Sequence, residues 1–181
     1  YRELGATTTA CNPSFVFASC ARLPLKVSGA RSYDSIVVAG YSTCALSSGA
    51  TWCWGWNVHG QVGSGPVGGI SNVPALISSS RQFAALSLDI SHACGVTATD
   101  SIFCWGSNIH GQLAADTLQT PRCGGGGGFF CTVSPVYAAP GLAAWQVSAG
   151  STHTCALTPA GDAYCWGSNA YGVLGNPTAL G

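Results

Sequence analysis

HTCALTPAGDAYCWGSNAYGVLG runs from His153 to Gly175, and the chain spells nearly the same line twice before it. Tyr41 to Gly63 reads YSTCALSSGATWCWGWNVHGQVG, and His92 to Ala114 reads HACGVTATDSIFCWGSNIHGQLA. Repetition is therefore the first property of the fold, because self-similarity along a chain marks an array of stacked supersecondary units. In the last copy, two β-prone runs, Cys155 to Thr158 and Asp162 to Trp166, flank Pro159-Ala160-Gly161, where glycine supplies the positive φ that a three-residue hairpin loop needs. If Thr158 faces Asp162, then Cys155 faces Cys165. By the same count a Ser48-Gly49 loop sets Cys44 opposite Cys53, and Ala98-Thr99-Asp100 sets Cys94 opposite Cys104. Opposed residues on antiparallel strands lie about 4.5–5.5 Å apart at Cα, within disulfide reach.

The pleat divides each hairpin into two faces. One carries a small residue opposite an aromatic, Ala45 with Trp52, Gly95 with Phe103 and Ala156 with Tyr164, beside Trp54, Trp105 and Trp166. The other carries the cysteines with Leu46, Val96 or Leu157. A sheet apolar on both faces needs a neighbour on each side, and stacking equivalent sheets around an axis or along a line supplies them.

These residues resemble the regulator-of-chromosome-condensation repeat family, whose members are β-propellers with four-stranded blades. The resemblance rests on C-A-L, C-W-G and N-x-x-G-Q-L-G, as in Cys44 to Leu46, Cys53 to Gly55 and Asn57 to Gly63, and it covers most of the chain. Gly95 in place of Ala, Ala114 in place of the last Gly and Val173 in place of Gln depart from the pattern. The resemblance implies an all-β fold of β-propeller-type repeats, four-stranded antiparallel blades, in a secreted, cysteine-rich, bacterial-type variant. A full ring in this family closes with about seven blades, and this chain carries about three, so it is expected to form an incomplete ring or open stack. Nucleotide exchange, β-lactamase inhibition and ultraviolet sensing all occur in the superfamily, each on its own residues, so the repeat implies fold and not activity.

Charged residues make up 7% of the chain, with six basic and six acidic. That leaves no field to recruit nucleic acid or an anionic membrane. No run of about twenty apolar residues marks a membrane span. Ten cysteines in local pairs fit an oxidising compartment, which predicts a secreted, extracellular or cell-surface protein. The lack of Met and the start at Tyr1 are read as a processed or partial chain.

Taken in order, Tyr1 to Gly5 matches Tyr171 to Gly175, so the chain begins and ends at equivalent points. One repeat domain, 1–181, then divides into units of approximately 1–58, 59–109 and 110–170, with the start of a fourth at 171–181. Such a chain reads as a section of a longer array or as a subunit that hands an unfinished blade to a neighbour. Cys11 with Cys20 and Cys123 with Cys131 close two inserts, each followed four residues later by a proline, Pro24 or Pro135, that opens an apolar strand; the middle unit runs to Pro74 without cysteine. Ser35 to Ala39, Phe83 to Leu88 and Trp145 to Ala149 supply a further strand before each hairpin, giving four strands per unit and no helix.

The five pairs, Cys11 with Cys20, Cys44 with Cys53, Cys94 with Cys104, Cys123 with Cys131 and Cys155 with Cys165, are spaced unlike Cys-x-x-Cys zinc knuckles, so disulfides are expected, with buried free thiols the bland rival. His92 and His153 share one repeat position, and His59 and His110 another, so repeat symmetry spreads them apart and they read as hydrogen-bonding turn and strand-start residues. Acidic residues are too few and scattered for a nucleophile–base–acid set, and the glycine tract at Gly124 lacks the Lys-Ser/Thr of a phosphate loop. The chain is expected to be no enzyme and to use no cofactor or metal. Both Asn-x-Ser/Thr triplets, at Asn12 and Asn176, hold the forbidden proline. Phe129 and Phe130, in the second disulfide-closed insert, are the candidate contact residues, expected to be exposed. The functional expectation is a structural unit that associates with copies of itself or with the rest of an array in a fibre, sheath or surface layer. The alternative is an extracellular binding propeller that presents its disulfide-closed loops to a protein or glycan ligand.

Overall fold

The computed structural model describes residues 9–10, 19–21, 23–77, 79–116, 122–123 and 128–178. Strands β1 (Thr9–Ala10) and β2 (Ser19–Cys20) pair with each other. Blade I is the antiparallel sheet β3 (Ser35–Ala39), β4 (Ser42–Ser47), β5 (Ala50–Asn57) and β6 (Gly69–Leu76), in that order. Blade II contains β7 (Phe83–Leu88), β8 (His92–Thr97), β9 (Ile102–Ser107), β10 (Arg122–Cys123) and β11 (Phe129–Tyr137), in the spatial order β10-β11-β9-β8-β7. Among the described residues blade III has three strands, β12 (Gln146–Ala149), β13 (His153–Leu157) and β14 (Ala163–Gly167). The array is all-β and open, and the described residues contain no helix.

Loop chemistry fixes the register of the three hairpins. Ser48 and Gly49 take φ of 48° and 78°, Asp100 takes 58° and Gly161 takes 92°, the left-handed geometry that lets a short loop reverse a twisted strand. Cys44 then faces Cys53, Cys94 faces Cys104 and Cys155 faces Cys165, with the small–aromatic pairs Ala45–Trp52, Gly95–Phe103 and Ala156–Tyr164 in the adjoining positions.

The strands that follow each hairpin, β6 and β11, differ from the sequence expectation. They begin at Gly69 and Phe129 rather than at the prolines, and Pro74 and Pro135 lie inside them beside a shift in register. Pro74 lies in an edge strand, and β10 pairs with β11 only at Phe129 and Phe130, so at both prolines the strand bonds on one side and a missing N–H that faces away from the sheet costs no ladder bond. Pro24–Val27, the third proline-led run, is not a strand. The sheets are also offset from the sequence units, since each outer strand follows its hairpin. Blade I therefore runs from Ser35 to Leu76 and blade II from Phe83 to Tyr137.

Blades pack face to face, the cysteine face of one on the aromatic face of the next. Cys44, Leu46 and Cys53 of blade I share a core with Phe83, Phe103 and Trp105 of blade II. Cys94, Val96, Ile102 and Cys104 of blade II share a second core with Val147, Ala156 and Trp166 of blade III. Gly95 departs from the repeat because the Phe83 ring occupies the space: a Cβ there would lie 2.8 Å from the ring's Cγ.

The glycine of each C-W-G is required twice over. Gly55, Gly106 and Gly167 have φ of 103°, 100° and 103°. A Cβ would fall 2.9, 2.7 and 2.8 Å from the Cα of Ser42, His92 and His153 on the neighbouring strand. Gly106→Ala should therefore destabilise the fold by about 2–4 kcal/mol, combining left-handed strain with a backbone clash. Chemical denaturation of the oxidised protein checks this, and a loss under about 0.5 kcal/mol, the ordinary surface value, would contradict it.

Candidate functional site

The turn that follows each hairpin explains the N-x-x-G-Q motif. Asn57 Oδ1 accepts from Val62 N at 3.0 Å, Asn108 Oδ1 from Leu113 N at 3.0 Å, and Asn169 Oδ1 from Leu174 N at 3.2 Å. Gln61 Oε1 accepts from His59 N and Gln112 Oε1 from His110 N, both at 2.9 Å. So braced, the glutamine main-chain carbonyl points into the next blade. Trp105 Nε1 donates to Gln61 O at 2.9 Å, and Trp166 Nε1 donates to Gln112 O at 2.8 Å. The tryptophan is thus both packing mass and directional lock, fully buried at Trp105 and half-buried at Trp166, with its N–H satisfied in both.

Between blades II and III the lock extends to a buried polar chain. Thr154 Oγ1 donates to Gln112 O at 2.8 Å, and His92 Nε2 lies 2.8 Å from Thr154 Oγ1. Because the threonine has one proton and spends it on the carbonyl, His92 donates from Nε2, and its Nδ1 is a buried acceptor without a partner. Burial foremost, then the charge of His153, lowers the His92 pKa from 6.5 to about 4.

The ends of the array carry the same two faces with less cover. Ile36 and Val38 stand across from Ala45 and Thr43 on the aromatic face of blade I and are 56% and 68% exposed. Val147 of blade III, across from Ala156 as Ile36 is from Ala45, is 6% exposed; Leu88 of blade II, across from Ala93 as Val38 is from Thr43, is 7% exposed. At the other end Cys155, Leu157 and Cys165 are only half-buried, while the matching Cys44, Leu46 and Cys53 are buried against blade II. The sequence marks these faces as apolar but does not say which copy of each lies at an end.

Disulfides join Cys44 to Cys53, Cys94 to Cys104 and Cys155 to Cys165, with Cα separations of 4.1, 4.0 and 4.1 Å. Cys123 and Cys131 are joined at 5.7 Å, and of the expected Cys11–Cys20 pair Cys11 lies outside the described residues. Phe129 and Phe130 are half-buried rather than exposed. Phe129 packs on His59 at 5.0 Å between ring centroids, and the Arg122 guanidinium lies 4.8 Å from the Phe130 centroid. His59 in turn meets Trp56 at 5.8 Å, and Trp56 meets Tyr41 at 5.6 Å, so an aromatic row crosses from blade I to blade II. Beside it Ile109, Arg122, Gly128, Phe129 and Phe130 line an open recess of about 530 Å³. The row escaped sequence reasoning because its members come from three separate segments. Among the described residues no three His, Cys, Asp or Glu side chains converge as metal ligands.

The buried His92 sets a pH dependence with a definite sign. Its folded pKa lies below the unfolded value, so its contribution to stability is complete above about pH 6.5 and is lost as pH falls toward 4. The loss should approach about 3 kcal/mol. His92→Gln should flatten that part of the stability–pH curve, and an unchanged slope in urea titrations between these limits would contradict the assignment.

Regulator of chromosome condensation (RCC1) repeat models match residues 48–98 and, in a second form, residues 90–112 and 146–173. A probable E3 ubiquitin-protein ligase, HERC6 of Homo sapiens, is 30% identical over 138 residues, which are 74% of this chain and 12% of that protein. RCC1 domain-containing protein 1 of Mus musculus is 34% identical over 99 residues, 53% of this chain and 23% of that protein. The chain thus spans a small part of these relatives. Among solved structures, Prp20p of Saccharomyces cerevisiae superposes with a TM-score of 0.67 at 19% identity, over 75% of this chain and 33% of that one. Human WBSCR16 superposes at 0.68 and 21%, over 86% of this chain and 37% of that one, a likeness of fold alone. With its three C-W-G hairpins stacked face to face and locked by tryptophan–carbonyl bonds, the chain belongs to the regulator of chromosome condensation repeat family of β-propellers.

Proposed function

We propose that this chain is a non-catalytic, protein-binding propeller segment that works by blade-on-blade association, its main partner being a second copy of itself. The observation that carries the reading is the pair of end faces. The cysteine-on-aromatic contact occurs twice within the chain, and one further face of each kind remains partly uncovered, at Ile36 and Val38 on one end and at Cys155, Leu157 and Cys165 on the other. A head-to-tail contact between copies would repeat an interface the molecule already makes. The near absence of charge leaves little to oppose that contact. Local disulfides suit a secreted or cell-surface setting, where a structural assembly would keep them oxidised. The family's wider habits are compatible with protein binding: one solved structure is of Kap60 bound to yeast RCC1 (Prp20).

A second reading has its own observation, the recess beside Phe129 and Phe130 with Arg122 at its edge. There the insert would present an aromatic surface to a protein or glycan ligand.

Sedimentation velocity over a concentration series tests the main reading. The oxidised chain should pass from 18.3 kDa to a larger species. Val38→Asp, on an already exposed site, should weaken that association at least about tenfold without loss of fold, since a buried unpaired carboxylate costs well over 1.4 kcal/mol. A compact monomer at all concentrations sinks the reading. Association that survives Val38→Asp but is lost in Phe130→Ala moves the contact to the rim.

A further inference from the structure

We propose that the contact between blades II and III is a proton-operated joint, at which protonation of His92 undocks blade III while blades I and II stay packed on each other. Acid thus opens the array at one place, and no second copy is needed.

The two joints use the same repeat positions with different chemistry. Between blades II and III, Ala149 N donates to Ser87 Oγ at 2.8 Å and Ser91 Oγ donates to Ser151 O at 3.1 Å. His92 Nε2 donates to Thr154 Oγ1, which donates to Gln112 O. Counted from the first hairpin cysteine, the residues standing where Ser87, Ser91, His92 and Thr154 stand are, between blades I and II, Val37, Tyr41, Ser42 and Ala93. Val37 and Ala93 pack in the apolar core, the Tyr41 ring meets Trp56 of its own blade, and Ser42 Oγ donates to Trp56 O, again within the blade. Trp105 Nε1 to Gln61 O and Gln61 Nε2 to Ile90 O, at 3.0 Å, join blades I and II instead, and neither bond involves a titratable group.

His92 is fully buried, and its neutral ring spends its one N–H on Thr154. Protonation adds a second N–H at Nδ1, where the described residues offer no acceptor, and places a full charge beside an apolar core. A buried, unpaired charge is held only at high cost, so the proton is taken up by the opened joint, where water reaches the ring. The titratable groups on the surrounding elements bring no relief. His153 on β13 is a further base whose charge opposes the proton, the Asp89 carboxylate before β8 accepts from Ile90 N, and His110 stands exposed in the Gln112 turn. Between blades I and II the corresponding risk is His59, whose pKa burial also lowers. That ring lies half-buried against Phe129 at the rim, so its charge keeps contact with water and costs less.

The two cores are separable. Cys44, Leu46 and Cys53 pack on Phe83, Phe103 and Trp105 without any residue of blade III, and the Cys155–Cys165 bridge holds the hairpin of blade III together when it leaves. Opening of one such unit needs less free energy than global unfolding. The folded pKa of His92 lies below its unfolded value, so docking is complete above about pH 6.5 and weakens as pH falls toward 4, by up to about tenfold per pH unit for one proton.

Hydrogen exchange of the Trp166 and Trp105 indole N–H groups, followed by NMR in the dilute oxidised chain, reads both joints at once. From about pH 6.5 to about pH 4.5, protection of the Trp166 indole relative to free tryptophan should fall at least about tenfold, while that of Trp105 should change less than about threefold. His92→Gln should abolish the Trp166 slope, and His59→Gln should leave it unchanged. Thr154→Val keeps His92 but removes its acceptor, so Trp166 protection should already be lower at neutral pH, with the slope retained. Equal losses at both indoles, Trp166 protection that does not move with pH, or a slope that persists in folded His92→Gln overturns the proposal. Loss at Trp105 ahead of Trp166 that vanishes in His59→Gln puts the acid-sensitive joint between blades I and II and overturns it as well.

Discussion

The bond from a tryptophan indole N–H to a glutamine main-chain carbonyl in the preceding blade is the interaction on which this architecture turns. Trp105 to Gln61 is made inside an apolar core, where an unpaired carbonyl would cost about 1–3 kcal/mol, and Trp166 to Gln112 repeats it in a part-buried setting beside the Thr154 hydroxyl. The bond therefore sets the spacing and rotation of one sheet on the next, while the surrounding burial supplies the driving force. Everything in the repeat that looks decorative serves it. The asparagine shapes the turn, the glutamine amide braces it, and the glycine of C-W-G lets the strand approach closely enough for the indole to reach.

A single blade is too small to be stable alone: both of its faces are apolar, and a short antiparallel sheet in water buries neither. The hairpin disulfides offset part of this locally. Closing a loop of about ten residues restricts the unfolded chain by roughly 2–3 kcal/mol in the chain-entropy view. They act within blades, and the tryptophan lock acts between them. Stability is thus divided between covalent staples in each sheet and cooperative stacking across sheets, and the buried His92–Thr154–Gln112 chain lies at the joint where the second kind of stability responds to acid.

Stacking also explains why the molecule has surfaces to offer. Each added blade covers one face and presents another of the same kind, so the ends of an open array are sticky by construction. Proteins usually blunt such exposure with charge or proline. This chain has few charges, and its prolines stand in the strands that follow the hairpins of blades I and II, at Pro74 and Pro135.

Much of the hairpin was legible in the residues, because its determinants are local. Loop length decides which cysteines oppose, alternation decides which side chains share a face, and glycine decides where φ turns positive; Cys44–Cys53, Cys94–Cys104 and Cys155–Cys165 follow from counting. The outer strands were not legible in the same way. Their extent depends on pairing with β5 and β9 across long connections, and the prolines that seemed to open them lie within them. Nor was the row of Tyr41, Trp56, His59 and Phe129 visible, nor the half-buried state of Phe129 and Phe130, since segments far apart in the chain bring them together. The amino-acid sequence by itself determined the repeat, the hairpin register and the two apolar faces, all consequences of neighbours within about ten residues. Tertiary structure alone decided which face packs on which, which tryptophan reaches which carbonyl and which faces stay partly uncovered, because those depend on the distance and rotation between sheets that no local pattern encodes.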